Sequence, residues 1–175
     1  MLTSLDTASA AEAGYDLEEL NYQLDRVKTE AFLNSNSAFL GPLMCGMDFV
    51  WTLDIPTAAT DGATIWWSPK DFMELTPALR KSTLLHELWH PGNLHLLRRG
   101  ERDPKIWNIA ADIDINNGLK KDGYTIEKPY FIWDKQYEGW AVEDIYDALQ
   151  KQCAPWGAGG AQGDPQHGQG QALPG

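Results

Sequence analysis

Residues 84–119 read LLHELWHPGNLHLLRRGERDPKIWNIAADIDINNGL, and the first third of this stretch decides how the rest of the chain is read. His86-Glu87-Leu88-Trp89-His90 is an HExxH pattern inside a segment whose apolar positions, among them Leu79, Leu84, Leu85 and Leu88, predict a helix. At about 100° per residue, positions 86 and 90 lie about 40° apart, so both imidazoles leave one helix face. Two neutral imidazoles on adjacent turns can hold one Zn²⁺. Glu87 lies about 100° from His86 and about 60° from His90, flanking the metal face without ligating. There a carboxylate can deprotonate a metal-bound water. An ordinary exposed helix can carry two histidines, but three of the chain's four histidines fall between positions 86 and 95.

A catalytic zinc usually has three protein ligands and water, and two residues compete for the third place. His95 lies nine residues after His86, about 180° away on a continuous helix, so it reaches the metal only if Pro91-Gly92 breaks the helix and turns the chain back. Otherwise it is a packing or capping histidine. Asp112 is favoured. Asn108, Asp112 and Asn116 repeat at i, i+4, i+8 as a polar stripe beside the apolar positions Ile106, Ile109, Ala110 and Ile113. The alternative for Asp112 is a carboxylate that orients an imidazole.

Working outward, Thr76-Pro77 caps the helix that carries HExxH, and Asp103-Pro104 caps a helix through Asn117 with Gly118 as its stop. Upstream, Asp16 opens a helix with Leu17, Leu20, Leu24, Val27 and Ala31 on one face, ended by residues 34–36. Residues 37–48 predict a short broken helix or loop. Phe49–Leu53 predicts a strand, residues 56–62 a turn with a hairpin signal at Asp61-Gly62, and Ala63–Trp67 the returning strand. Ser68-Pro69 starts a short helix to Leu75. Downstream, residues 120–140 are irregular and aromatic, and 141–151 form an amphipathic helix. The last 22 residues hold seven Gly, four Gln and three Pro. The expected organisation is therefore a flexible lead-in at 1–15, one domain at 16–153, and a tail or linker at 154–175, in which His167 is solvated.

With 14 Lys+Arg against 25 Asp+Glu, the net charge of -11 opposes binding to nucleic acid or to anionic membranes, and so disfavours a nuclease. No apolar run approaches the ~20 residues of a membrane span, and residues 1–15 lack the basic and apolar regions of a secretory signal. Cys45 and Cys153 have no metal-type spacing and read as free thiols, so the expected location is cytoplasmic. Most of the eight tryptophans are expected in the core or at its rim.

Taken together, PTAATDGATIWWSPKDFMEL (56–75), the stretch 84–119 and GWAVEDIYDAL (139–149) resemble a metallopeptidase domain of bacteria and phages that is often followed by a von Willebrand factor A-like domain. The resemblance runs from about Leu20 to Leu149 and joins four motifs in order. It implies an α+β zincin-like fold, mostly helical with a small sheet, and a bound zinc. His86, Glu87, His90 and Asp112 fall on its motif positions, and His95 and the Arg98-Arg99 pair also match. Pro91-Gly92-Asn93 departs from it, since the family usually has a continuous apolar helix there. The implied activity is peptide-bond hydrolysis with Glu87 as general base, on a peptide or protein substrate, with a von Willebrand factor A-like domain or an ATPase as a partner. The strand 63–67 would be the substrate-aligning edge strand, with Tyr124 and Tyr130 as candidate oxyanion donors. The alternative from another class is a non-catalytic metal-containing module that acts with a partner protein.

Overall fold

The turn at Asp61-Gly62 organises the sheet. Asp61 accepts backbone hydrogen bonds at Oδ1 from Ala63 (2.9 Å) and Thr64 (2.8 Å), and Gly62 takes φ +94°, a value that favours glycine. This turn joins β2 (Ala58–Thr60) to β3 (Thr64–Trp67) as an antiparallel hairpin, pairing Thr60 with Ile65 and Ala58 with Trp67. The strand before them, β1 (Asp48–Trp51), pairs with β3 in parallel, Asp48 with Thr64 through Trp51 with Trp67. The sheet order is β1-β3-β2. Two sequence expectations are corrected here. Residues 56–62 are not all turn, because they include β2. The strand at 63–67 is central, not an edge, because it is hydrogen-bonded on both sides.

A computed structural model describes residues 2–34 and 38–153; the expected tail at 154–175, with His167, and residues 35–37 lie outside them. The remaining elements are helices: α1 (Thr7–Glu12), α2 (Leu17–Asn34), α3 (Leu40–Cys45), α4 (Pro69–Glu74), α5 (Pro77–Gly92), α6 (His95–Arg98), α7 (Pro104–Lys121) and α8 (Val142–Cys153), with a 3-10 turn at Lys135–Tyr137. The fold is α+β, dominated by helix. Within the expected lead-in, α1 is started by a capping box between Asp6 and Ser9, and Leu5 donates to the Trp51 carbonyl at 2.8 Å. Helix α7 runs past Gly118 to Lys121. A single exposed glycine lowers helix propensity but does not end a helix whose flanks, Asn117 and Leu119, are buried.

The main apolar cluster gathers Leu20, Leu24 and Val27 of α2, Trp51, Ile65 and Trp67 of the sheet, Phe72 of α4, Leu84, Leu85 and Leu88 of α5, and Ile115 and Leu119 of α7. Phe72 meets Trp51 and Trp67 edge-on, at ring centroid distances of 5.0 and 4.9 Å. Arg80 ties α5 to the end of α4 by donating to the Phe72 carbonyl at 2.7 Å. A second cluster joins Trp107, Ala110, Ala111 and Ile113 of α7 to Tyr137 and to Val142, Ile145 and Tyr146 of α8. Helix α7 thus belongs to both clusters and lies against α5.

Candidate metal centre

Both helices that supply the site are fixed at their starts. Thr76 Oγ1 accepts from Leu79 N at the head of α5, and Asp103 Oδ1 accepts from Lys105 and Ile106 at the head of α7, each with proline in the first turn. Helix α5 continues through Pro91 to Gly92 rather than breaking there. In the last turn the proline forfeits only the bond to the carbonyl of Glu87. The break comes two residues later, where Leu94 takes the left-handed region at φ +55° and starts the chain into α6.

Between α5 and α7, three ligand-type atoms face one another. His90 Nε2 lies 3.1 Å from His86 Nε2, and Asp112 Oδ1 lies 3.5 Å from His86 Nε2 and 3.3 Å from His90 Nε2. A zinc ion about 2.0–2.1 Å from tetrahedral ligands separates adjacent ligand atoms by about 3.3 Å, so the triangle has the size of a coordination face. All three residues are buried, and Asp112 Oδ1 has no hydrogen-bond partner. An orphaned carboxylate oxygen beside two imidazole nitrogens is costly in an apolar interior unless something cationic neutralises it. Among the described residues, His86, His90 and Asp112 form the one group of three or more His, Cys, Asp or Glu placed to hold a metal ion.

The surroundings aim these atoms. The His86 Nδ1–H donates to Asn116 Oδ1 at 2.8 Å, and Asn116 in turn donates to the Ile132 carbonyl at 2.7 Å. That arrangement turns the His86 Nε2 into the triangle. Burial alone drives both imidazoles toward the neutral form. His90 follows, to about 4. At His86 the contact with Asp112 and the charges of Asp112 and Glu87 outweigh burial and raise the value to about 9. A cation entering the triangle must therefore displace a proton.

Glu87 is 3% exposed and outside the triangle. Burial, countered in part by His86 and reinforced by Asp112 and Asp71, raises its carboxyl to about 7. This is the range suited to proton transfer near neutral pH. Glu87 and His86 line a small cleft of about 10 Å³, room for roughly one water molecule, together with Thr57, Ala58, Asp71, Thr83, Tyr130 and Phe131. Of the two tyrosines considered as donors, Tyr130 lines this cleft, whereas the ring of Tyr124 lies under Lys81 Nζ.

The fold thus brings His86, Glu87, His90 and Asp112 together. It keeps His95 outside the triangle, with its Nδ1 3.4 Å from the opposite nitrogen of His90. The sequence shows Asn116 as part of the polar stripe but gives no sign that it is the partner of His86. Asp114, 3.5 Å from His95 Nε2, carried no sequence signal.

The chain matches the model of a protein family described as "Putative metallopeptidase domain" over residues 21–174. No curated protein and no solved structure matches it. No helix among the described residues is long and apolar enough to cross a membrane.

Proposed function

The chain belongs to that metallopeptidase-domain family, and from this premise we propose that it is a zinc-dependent peptidase in which His86, His90 and Asp112 hold the metal. The observation that carries the reading is the buried triangle of two imidazole nitrogens and one orphaned carboxylate oxygen, with Glu87 beside it but not in it. Borderline-soft zinc suits a His₂-carboxylate donor set, and three protein ligands leave a position open for chemistry. When bound, the ion supplies a Lewis acid that polarises a carbonyl and acidifies water.

The protein residues do the rest. Glu87, with a carboxyl near 7, takes a proton from the attacking water and passes it to the leaving amine. Tyr130 offers a phenolic donor from the cleft wall to the oxygen that gains charge. Thr57 and Ala58 bring the start of β2 to the cleft, so a substrate group that reaches Glu87 passes the end of that strand. The substrate is a peptide or protein segment. The excess of acidic residues opposes a nucleic-acid partner; the free-thiol reading of the cysteines favours a cytoplasmic setting, and the family resemblance favours a von Willebrand factor A-like domain or an ATPase as partner.

Metal analysis and a peptide-library hydrolysis assay on wild type and Glu87→Gln test the reading. One zinc per chain is expected in both proteins, with hydrolysis reduced by about 10²–10⁴ in the variant. Loss of zinc from Glu87→Gln would make Glu87 a ligand and refute the assignment. Undiminished turnover would remove it as the base.

A further inference from the structure

The metal reading leaves His95 without a task, yet the chain goes to some length to place it. Leu94, immediately before it, sits in the left-handed region at φ +55°, which is unfavourable for a branched side chain. The indole of Trp107 donates to the His95 carbonyl at 2.9 Å, and the two rings meet edge-on, 6.4 Å between centroids and 89° between planes. The residue is 1% exposed.

Packing alone would be served by an apolar ring. Instead both nitrogens of His95 face polar atoms. Nδ1 lies 3.4 Å from His90 Nδ1, and Nε2, which has no hydrogen-bond partner, lies 3.5 Å from Asp114 Oδ2. Two lone pairs cannot face each other at that separation, so one proton stands between the Nδ1 atoms. If His90 turns its Nε2 lone pair toward His86 and Asp112, its proton is on Nδ1 and is donated to His95. His95 then carries its own proton on Nε2, beside the Asp114 carboxylate. The proton positions follow link by link from the geometry.

We propose that His95 and Asp114 are positioning residues that fix the tautomer and ring orientation of His90. The inference rests on the metal reading given above. A carboxylate behind a ligand imidazole is a common support for bound zinc; here a second imidazole stands between carboxylate and ligand. His86 is supported separately, through Asn116 and the Ile132 carbonyl, so each ligand histidine has its own acceptor.

The test is the zinc dissociation constant, read by competition with a chromophoric chelator, which needs no turnover. His95→Phe keeps the ring volume but cannot accept a hydrogen bond, and should weaken zinc binding by about 10–100-fold. His95→Asn is smaller but puts an oxygen where Nδ1 was, and should recover most of that loss. Asp114→Asn should weaken binding on the wild-type background and have no effect in His95→Asn, whose side chain no longer reaches Asp114. A purely structural His95 predicts the reverse order, with His95→Phe the milder change. Wild-type affinity in His95→Phe, or an affinity in His95→Asn no better than in His95→Phe, overturns the proposal. If neither variant folds, as judged by thermal denaturation without metal, Asp114→Asn decides, and an unchanged zinc constant overturns it. Zinc lost in His86→Ala but undisturbed by the His95 and Asp114 changes refutes this inference alone, whereas a wild type that takes up no zinc refutes the metal reading with it.

Discussion

The two apolar clusters flank one polar seam but are held together in different ways. The larger one draws on α2, α3, the sheet, α4, α5 and the end of α7, and its members meet mostly through apolar contact. The smaller one has eight buried members on α7, the turn at Lys135–Tyr137 and α8, and is laced with directed bonds. Tyr146 Oη accepts from Asp103 N, Gln152 donates to Tyr137 Oη, and Arg98 on α6 grips Glu143 on α8 with two bonds of 3.0 and 2.7 Å. The ligand triangle crosses between them, with His86 and His90 on a helix of the large cluster and Asp112 on the helix that both share. Apolar area predominates on one side and directed bonds on the other, and an ion in the triangle would add a second tie to the one that α7 already makes.

The comparison can be broken most severely from the large side. Phe72→Ala removes a fully buried ring from between Trp51 and Trp67, and is expected to cost about 3–5 kcal/mol. Chemical denaturation should show both clusters unfolding together, since α7 belongs to each. Removing metal comes next. With free zinc about a thousandfold above its dissociation constant, loading contributes about 4 kcal/mol. Hydrogen exchange after chelation should accelerate in α7 and α8 well before α2 and β3. Uniform acceleration would show that the triangle does not tie two separately held regions.

A smaller effect follows from the titration of His86. Its folded value of about 9 exceeds the ordinary 6.5, so the metal-free protein gains stability from its proton at low pH and loses that gain as pH rises through 9. The raised carboxyl of Glu87 adds a loss of the same sign as pH rises from 4.5 to 7. Metal-free melting temperature should therefore fall between pH 6.5 and 9, while the zinc-loaded protein, whose His86 Nε2 would be held by the metal and not by a proton, should not follow it. The smallest effect is expected at the rim. Arg98→Ala breaks the bidentate contact with Glu143, and because both side chains are about one-third exposed the cost should stay within about 1 kcal/mol, read from the denaturant midpoint.

What sequence made legible was local. The HExxH phase, the caps at Thr76 and Asp103, and the i, i+4 stripe containing Asp112 each follow from spacing along one helix, and all appear in the fold. What it hid was pairing across elements. Strand β2 has three residues, Ala58–Thr60, all buried, so no alternation marks it inside a turn-rich stretch. The parallel partnership of β1 and β3 cannot be read from a hairpin signal, because Asp61-Gly62 specifies only the strands it joins. Pro91 suggested a helix break, but a proline in a last turn sacrifices a single bond, and the redirection fell instead on Leu94, whose branched side chain gives no hint of a left-handed backbone. The partners of His86 and His95, Asn116 and Asp114, lie on α7 beyond a turn whose course no local rule fixes.

Trp107 has an optical consequence. Its indole lies edge-on to His95, which adjoins His90, so light emitted by this tryptophan originates within a few side chains of the triangle. Zinc is colourless and would leave that emission largely intact, whereas cobalt(II) or copper(II) in the same place would drain it by energy or electron transfer, which falls steeply with distance. Against the Trp107→Phe protein as background, the extra quenching on cobalt addition would be a private signal from the seam, letting ion entry be timed without substrate, label or chelator.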